Sequence, residues 1–117
     1  MRPTVIASER GEVGFPAAVE ILAGGGSALD AVHACVRAVE ANVDDHFVGV
    51  GGLPNLVGVV ELDAMLLDGT ERRAGAVAGV TGFPHPSDIA RRELSDQPQH
   101  VLLVGAGAER FADECEV

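Results

Sequence analysis

The chain has 117 residues, 47% of them hydrophobic, with four Phe and no Trp or Tyr. That length suits one domain over residues 1–117, with about 65% of the unfolded surface buried in a core of Val, Leu, Ile and Ala. Eighteen acidic residues face eight basic ones, all Arg, and the net charge of -10 argues against nucleic-acid or anionic-membrane partners, which call for clustered positive charge.

Thr4 to Ser8 reads as a short buried strand entered by Pro3, and Gly11 to Gly14 as a turn. Phe15 to Leu22 reads as a helix with Pro16 in its first turn. Gly24-Gly25-Gly26 ends it through a left-handed cap. Ser27 then opens the clearest helix, with Asp30 completing a pattern like a capping box. Leu29, Val32, Val36 and Val39 recur at helical spacing, with Ala28 and Cys35 alongside. This face is expected to pack on a sheet, with Arg37 and Glu40 outward and Asn42 as the end.

Beyond Val57 the period shortens. Val57–Leu62, Ala64–Leu67 and Gly75–Val80 read as strands of an antiparallel unit, with Asp68-Gly69 as a hairpin signal. Pro86 or Ser87 opens a helix through Leu94, with Asp88 in its first turn. Val101–Val104 is a short extended run, and Gly105-Ala106-Gly107 leads into a last helical turn or two. Strand, helices, strands and helices in this order give an α+β fold.

Neither cysteine suggests a disulfide framework. Cys35 reads as a small buried hydrophobe, and Cys115 lies among acidic residues that blunt thiol reactivity. The N-terminus has no long apolar leader and no run reaches membrane-span length, so a cytoplasmic protein is expected. His33, Asp44, Asp45, His46 and His85 lack ligand spacing on a defined element, and no metal or cofactor is expected. Val101 to Arg110 imitates the start of a dinucleotide-binding turn, but Arg110 stands where the third Gly belongs.

The order of blocks is more specific than any one block. Gly24–Val32, Val48-Gly49-Val50-Gly51-Gly52-Leu53-Pro54-Asn55, Glu61–Gly69, Ala74–Val80, His85-Pro86 with Ala90-Arg91-Arg92, and His100–Ala112 follow one another in register. In this order they resemble the N-terminal half of the glycosylasparaginase and type 2 (plant-type) asparaginase family. The Val48–Asn55 block looks more like the glycosylasparaginase branch.

The resemblance implies an αββα N-terminal-nucleophile sandwich, made as one precursor and cut into α and β chains. It implies an amidohydrolase acting on asparagine or N4-glycosylated asparagine. The nucleophile would be a Thr opening the β chain, with its own α-amine as base. Thr4, Thr70 and Thr81 are internal, so the chain reads as an α portion that is inactive alone. Its partner would be a β half carrying that Thr, or a second copy; the alternative is a non-catalytic structural or interaction module.

No catalytic residue is therefore assigned within the chain. By resemblance, Gly49, Gly51 and Gly52 lie near the active-site floor, and Glu9 stands where glycosylasparaginases carry a pocket-shaping Trp. About Asn42 to Val48 corresponds to a sodium-binding loop of the asparaginase branch, although in this chain the region reads better as a tight structural turn at a strand entry.

Overall fold

The computed structural model describes residues 2–96 and 99–117. Its regular elements in chain order are α1 (Phe15–Ala23), α2 (Ala28–Glu40), β1 (Leu62–Asp68), β2 (Arg73–Val80), α3 (Pro86–Asp96), β3 (Leu102–Val104) and α4 (Gly105–Glu114). The expected α+β class holds. The sheet is mixed, in the order β1-β2-β3.

β1 and β2 form an antiparallel hairpin that pairs Leu67 with Ala74 and Asp68 with Arg73. The connection is a four-residue loop rather than a two-residue turn. Asp68 Oδ1 accepts the Thr70 N–H at 2.9 Å, and Arg72 takes a φ of 53°. This local side-chain bond sets a wider turn than the Asp-Gly pair suggests. α3 crosses from β2 to β3, which lies parallel to β2 with Ala76 beside Leu102 and Ala78 beside Val104.

One sheet face is covered. Leu66, Val77 and Val80 are buried with Ile89, Ala90 and Leu94 of α3 and Ala108 and Ala112 of α4. The small alanines let both helices approach the sheet closely. The opposite face carries Met65, Leu67, Leu102 and Val104, each 54–62% exposed, with Ala74, Ala76 and Ala78 half-buried between them. Alternation along the strands puts these seven apolar residues on one side.

The helical hairpin α1–α2 has a separate core of Ala18, Ala31 and Cys35, packed by Val5, Phe15, Ile21 and Leu22. Ser27 caps α2 as the sequence implies: its Oγ accepts the Asp30 N–H at 3.0 Å and donates to Asp30 Oδ2 at 2.6 Å. The left-handed residue after α1 is Gly25, with a φ of 80°, rather than Gly24.

Four sequence expectations are corrected. Thr4–Ser8 is not a strand, because no described strand lies beside it to complete a ladder; Val5 packs into the hairpin core instead. Val57 to Val60 is a loop. Asn55 Oδ1 accepts the Val57 and Val59 N–H groups at 3.0 and 3.1 Å, so local bonds displace strand pairing. α4 runs for ten residues, longer than one or two turns.

The fourth correction is the orientation of α2. Its buried residues are Ala31, Cys35 and Glu40, because small side chains allow α1 to lie close. Val32 is half exposed, and Leu29, Val36 and Val39 are half-buried. Arg37 does not point outward: it pairs with Asp88 on α3. Glu40 is only 3% exposed.

Candidate functional site

A cavity of about 500 Å³ opens where the hairpin, the sheet edge and the 43–52 loop meet. Val32, Val36 and Val39 of α2 form one wall, while Asp63–Met65 and Pro86 form the other. The segment Val5–Gly11 and the stretch Phe47–Gly49 close the remaining sides. The walls are mainly apolar, and the charged residues among them are Glu9, Arg10, Glu40, Asp45 and Asp63.

Glu9 is exposed in the turn held by the Gly11 N–H bond to Ser8 O, and its side chain has no hydrogen bond among the described residues. Its neighbour Arg10 adopts a left-handed backbone, with φ 67°. Its Nη1 donates to Asp44 O at 2.9 Å, tying the N-terminal segment to the loop across the cavity mouth. Asp45 is 3% exposed, and its Oδ1 accepts the Phe47 N–H at 2.8 Å.

The glycine turn has strict steric demands. Gly49 has a φ of 62°, and a Cβ there would fall inside the Cα and carbonyl of Glu40. A Cβ on Gly51 would collide with the carbonyl oxygens of Asp45 and Val43. Gly52 has an ordinary φ of -57°, and its N–H donates to Gly49 O at 3.0 Å. Of the four residues singled out from sequence, Glu9 and Gly49 line the cavity. Gly51 and Gly52 belong to the same turn without lining it.

Sequence reasoning missed Glu40, which lies beneath this turn. Its Oε1 accepts the Ser87 N–H at 3.0 Å, and its Oε2 accepts the Ser87 hydroxyl at 2.7 Å and lies 3.3 Å from His85 Nδ1. A carboxylate from α2 thus caps the start of α3, favoured there by the free N–H groups and the helix dipole. Serine and histidine converge separately on this carboxylate rather than on each other. They form no nucleophile–base relay, and Ser87 is fully buried.

The missed signal was a second helical stripe. Asp30, His33, Arg37 and Glu40 recur at i, i+3, i+7 and i+10, and all four face α3. Asp30 pairs with Arg91 at 2.8 Å, while His33 Nε2 at 2.8 Å and Arg37 both meet Asp88. The Ser27 hydroxyl, assisted by Arg91, lowers the Asp30 pKa.

Among the described residues, the hydroxyl and thiol that line the cavity are those of Ser8 and Cys35, and neither is hydrogen-bonded to a side-chain base. Burial pushes the Cys35 thiol pKa up and disfavours the reactive thiolate. Thr81 Oγ1 is engaged by Glu109 Oε1 at 2.8 Å, and Thr4 and Thr70 lie away from the cavity lining. Among the described residues no three His, Cys, Asp or Glu side chains gather as a metal-ligand set. No described helix is long and apolar enough to cross a membrane.

Fold and site together define an α+β chain with a ligand-sized cavity between a helical hairpin, a glycine turn and a sheet edge. The family profile described as Asparaginase matches residues 13–117, and the chain belongs to that family. It is 45% identical over 87 residues to the plant-type L-asparaginase of Thermococcus kodakarensis, covering 74% of this chain and 28% of that protein. It is 40% identical over 95 residues to the mouse isoaspartyl peptidase/L-asparaginase, covering 81% and 28%.

Mouse N(4)-(beta-N-acetylglucosaminyl)-L-asparaginase is 44% identical over 92 residues, covering 79% and 26%. These close identities do not separate the branches. The chain spans little more than a quarter of the length of these relatives.

Proposed function

We propose that the chain is the α-chain portion of an αββα N-terminal-nucleophile amidohydrolase that cleaves the side-chain amide of asparagine or N4-glycosylated asparagine. The observation that carries this reading is the family match over residues 13–117. The open sheet face supports it. Four exposed apolar residues, Met65, Leu67, Leu102 and Val104, on one side of a sheet call for a second layer. A β half would supply that layer and the Thr nucleophile, with a second copy of this chain as the other candidate cover.

In this reading the Thr hydroxyl adds to the amide carbonyl while the Thr α-amine takes its proton and passes it to the departing nitrogen as the amide bond breaks; water then hydrolyses the Thr ester and frees the hydroxyl. Gly49, Gly51 and Gly52 form part of the pocket floor, and Glu9 shapes its rim. A cytoplasmic setting belongs to the same proposal, supported by two free thiols. Thr4, Thr70 and Thr81 have amide rather than amine nitrogens, so the 117 residues are inactive by themselves.

The test measures ammonia or aspartate release from asparagine, β-aspartyl peptides and glycosylated asparagine. The chain is assayed alone and co-produced with the polypeptide encoded directly downstream. Turnover should require that partner and vanish when its first Thr is replaced. Turnover by the chain alone that is lost on mutating one of its own residues would overturn the reading. A compact, inactive monomer with no dye-accessible apolar surface would favour a non-catalytic module.

A further inference from the structure

The described residues form two hydrophobic cores with no member in common. One lies within the α1–α2 hairpin, and the other joins the sheet to α3 and α4. On the cavity side, Val32, Val36 and Val39 face open space. On the α3 side, α2 meets its neighbour through Asp30–Arg91, His33–Asp88, Arg37–Asp88 and Glu40–Ser87. Residues 41–61 join hairpin to sheet with one short 3-10 turn as their only regular structure.

We propose that the α1–α2 hairpin is a hinged flap over the cavity, latched to α3 by this polar seam and released as ionic strength rises. The inference concerns a motion of the chain itself and goes beyond its proposed role in an amidohydrolase. Apolar packing of α2 against the sheet would make the two cores unfold together. Here the hairpin keeps its internal core when it swings away, and what it loses against α3 is the pairs of Asp30, His33 and Arg37 together with the buried Glu40–Ser87 cap, of which the exposed pairs are the salt-sensitive part. Arg37 and Asp88 are 43% and 23% exposed, Arg91 and Asp30 29% and 49%. Pairs this exposed contribute little each and are screened by salt.

The cavity wall moves with the flap, because α2 supplies one side and β1 the other. Arg10, bonded to Asp44 O, holds the N-terminal segment across the mouth. Opening therefore widens access to a space lined by both Glu9 and Phe47.

Native-state hydrogen exchange on the full 117-residue chain tests this, read peptide by peptide from low to high salt. Amides of α1 and α2 should exchange as one group, and faster at high salt relative to those of β2 and α3. Asp88→Asn and Arg91→Gln should each speed hairpin exchange at low salt by about fivefold, the factor for roughly one ion pair's worth of stability. Arg92→Gln is the control. It removes the same charge from the same helix, but its partner Asp96 lies outside the seam, so it should leave the hairpin unchanged.

A constant ratio of hairpin to body exchange at every salt concentration would overturn the proposal. So would an Arg92→Gln effect equal to that of Arg91→Gln. Should Asp88→Asn fail to fold, the Arg91→Gln and Arg92→Gln comparison decides.

Discussion

Glu93 should make the chain less stable as pH rises, the reverse of a salt-bridged carboxylate. The side chain is 0% exposed, its Oε2 accepts the Ala76 N–H at 3.1 Å, and its Oε1 has no partner among the described residues. Burial raises its pKa above the ordinary 4.5, and the Ala76 bond and nearby His100 only partly offset this. In the unfolded chain the carboxyl ionises near its ordinary value. Between that value and the raised native one, the native state therefore holds a proton that the unfolded state has lost. Stability then falls by about 1.4 kcal/mol per pH unit across the window. The contribution is fully present below the unfolded pKa and lost once pH passes the folded one.

Glu93→Gln isolates the effect, because the amide oxygen can still accept from Ala76 and does not titrate. Urea unfolding of both proteins from acid to mildly alkaline pH gives the difference in stability at each pH. Asp30 and Glu109, whose native pKa values are lowered, give the opposite slope. They are present in both proteins and cancel. The difference, wild type minus variant, should decline with pH and then level off. A difference that stays constant, or rises with pH, would show that the native carboxyl is not held neutral by burial.

Ser27→Ala should cost about 1 kcal/mol of stability by urea unfolding, because it removes both the cap on α2 and the hydroxyl that stabilises ionised Asp30. Gly49→Ala should cost at least ~1–2 kcal/mol from the left-handed backbone alone. The collision with Glu40 adds to this, so an unaltered midpoint would refute the tight turn. Arg37→Ala should lower stability by up to about 1 kcal/mol through its partly exposed pair with Asp88, an effect reduced by added salt. Leu29→Ala should fall below the ~2–5 kcal/mol of a buried leucine, because Leu29 is only half-buried.

Much of the local architecture was legible in the residues. Pro16, Ser27 and Asp30 mark helix starts, and the short apolar runs 64–67, 75–80 and 101–104 mark the strands, because capping and period depend on near neighbours alone. The family was legible too, since blocks in register carry information that no single glycine turn holds. The tertiary structure decided which face of α2 is buried. Its apolar and polar stripes were both visible, but small size at Ala31 and Cys35, not hydrophobicity at Leu29 and Val36, chose the side that meets α1. It also decided that Asn55 closes a loop where a strand was expected. The burial of Glu40 and Glu93 lay beyond sequence as well, because whether a carboxylate is solvated or enclosed depends on elements 47 and 17 residues away along the chain.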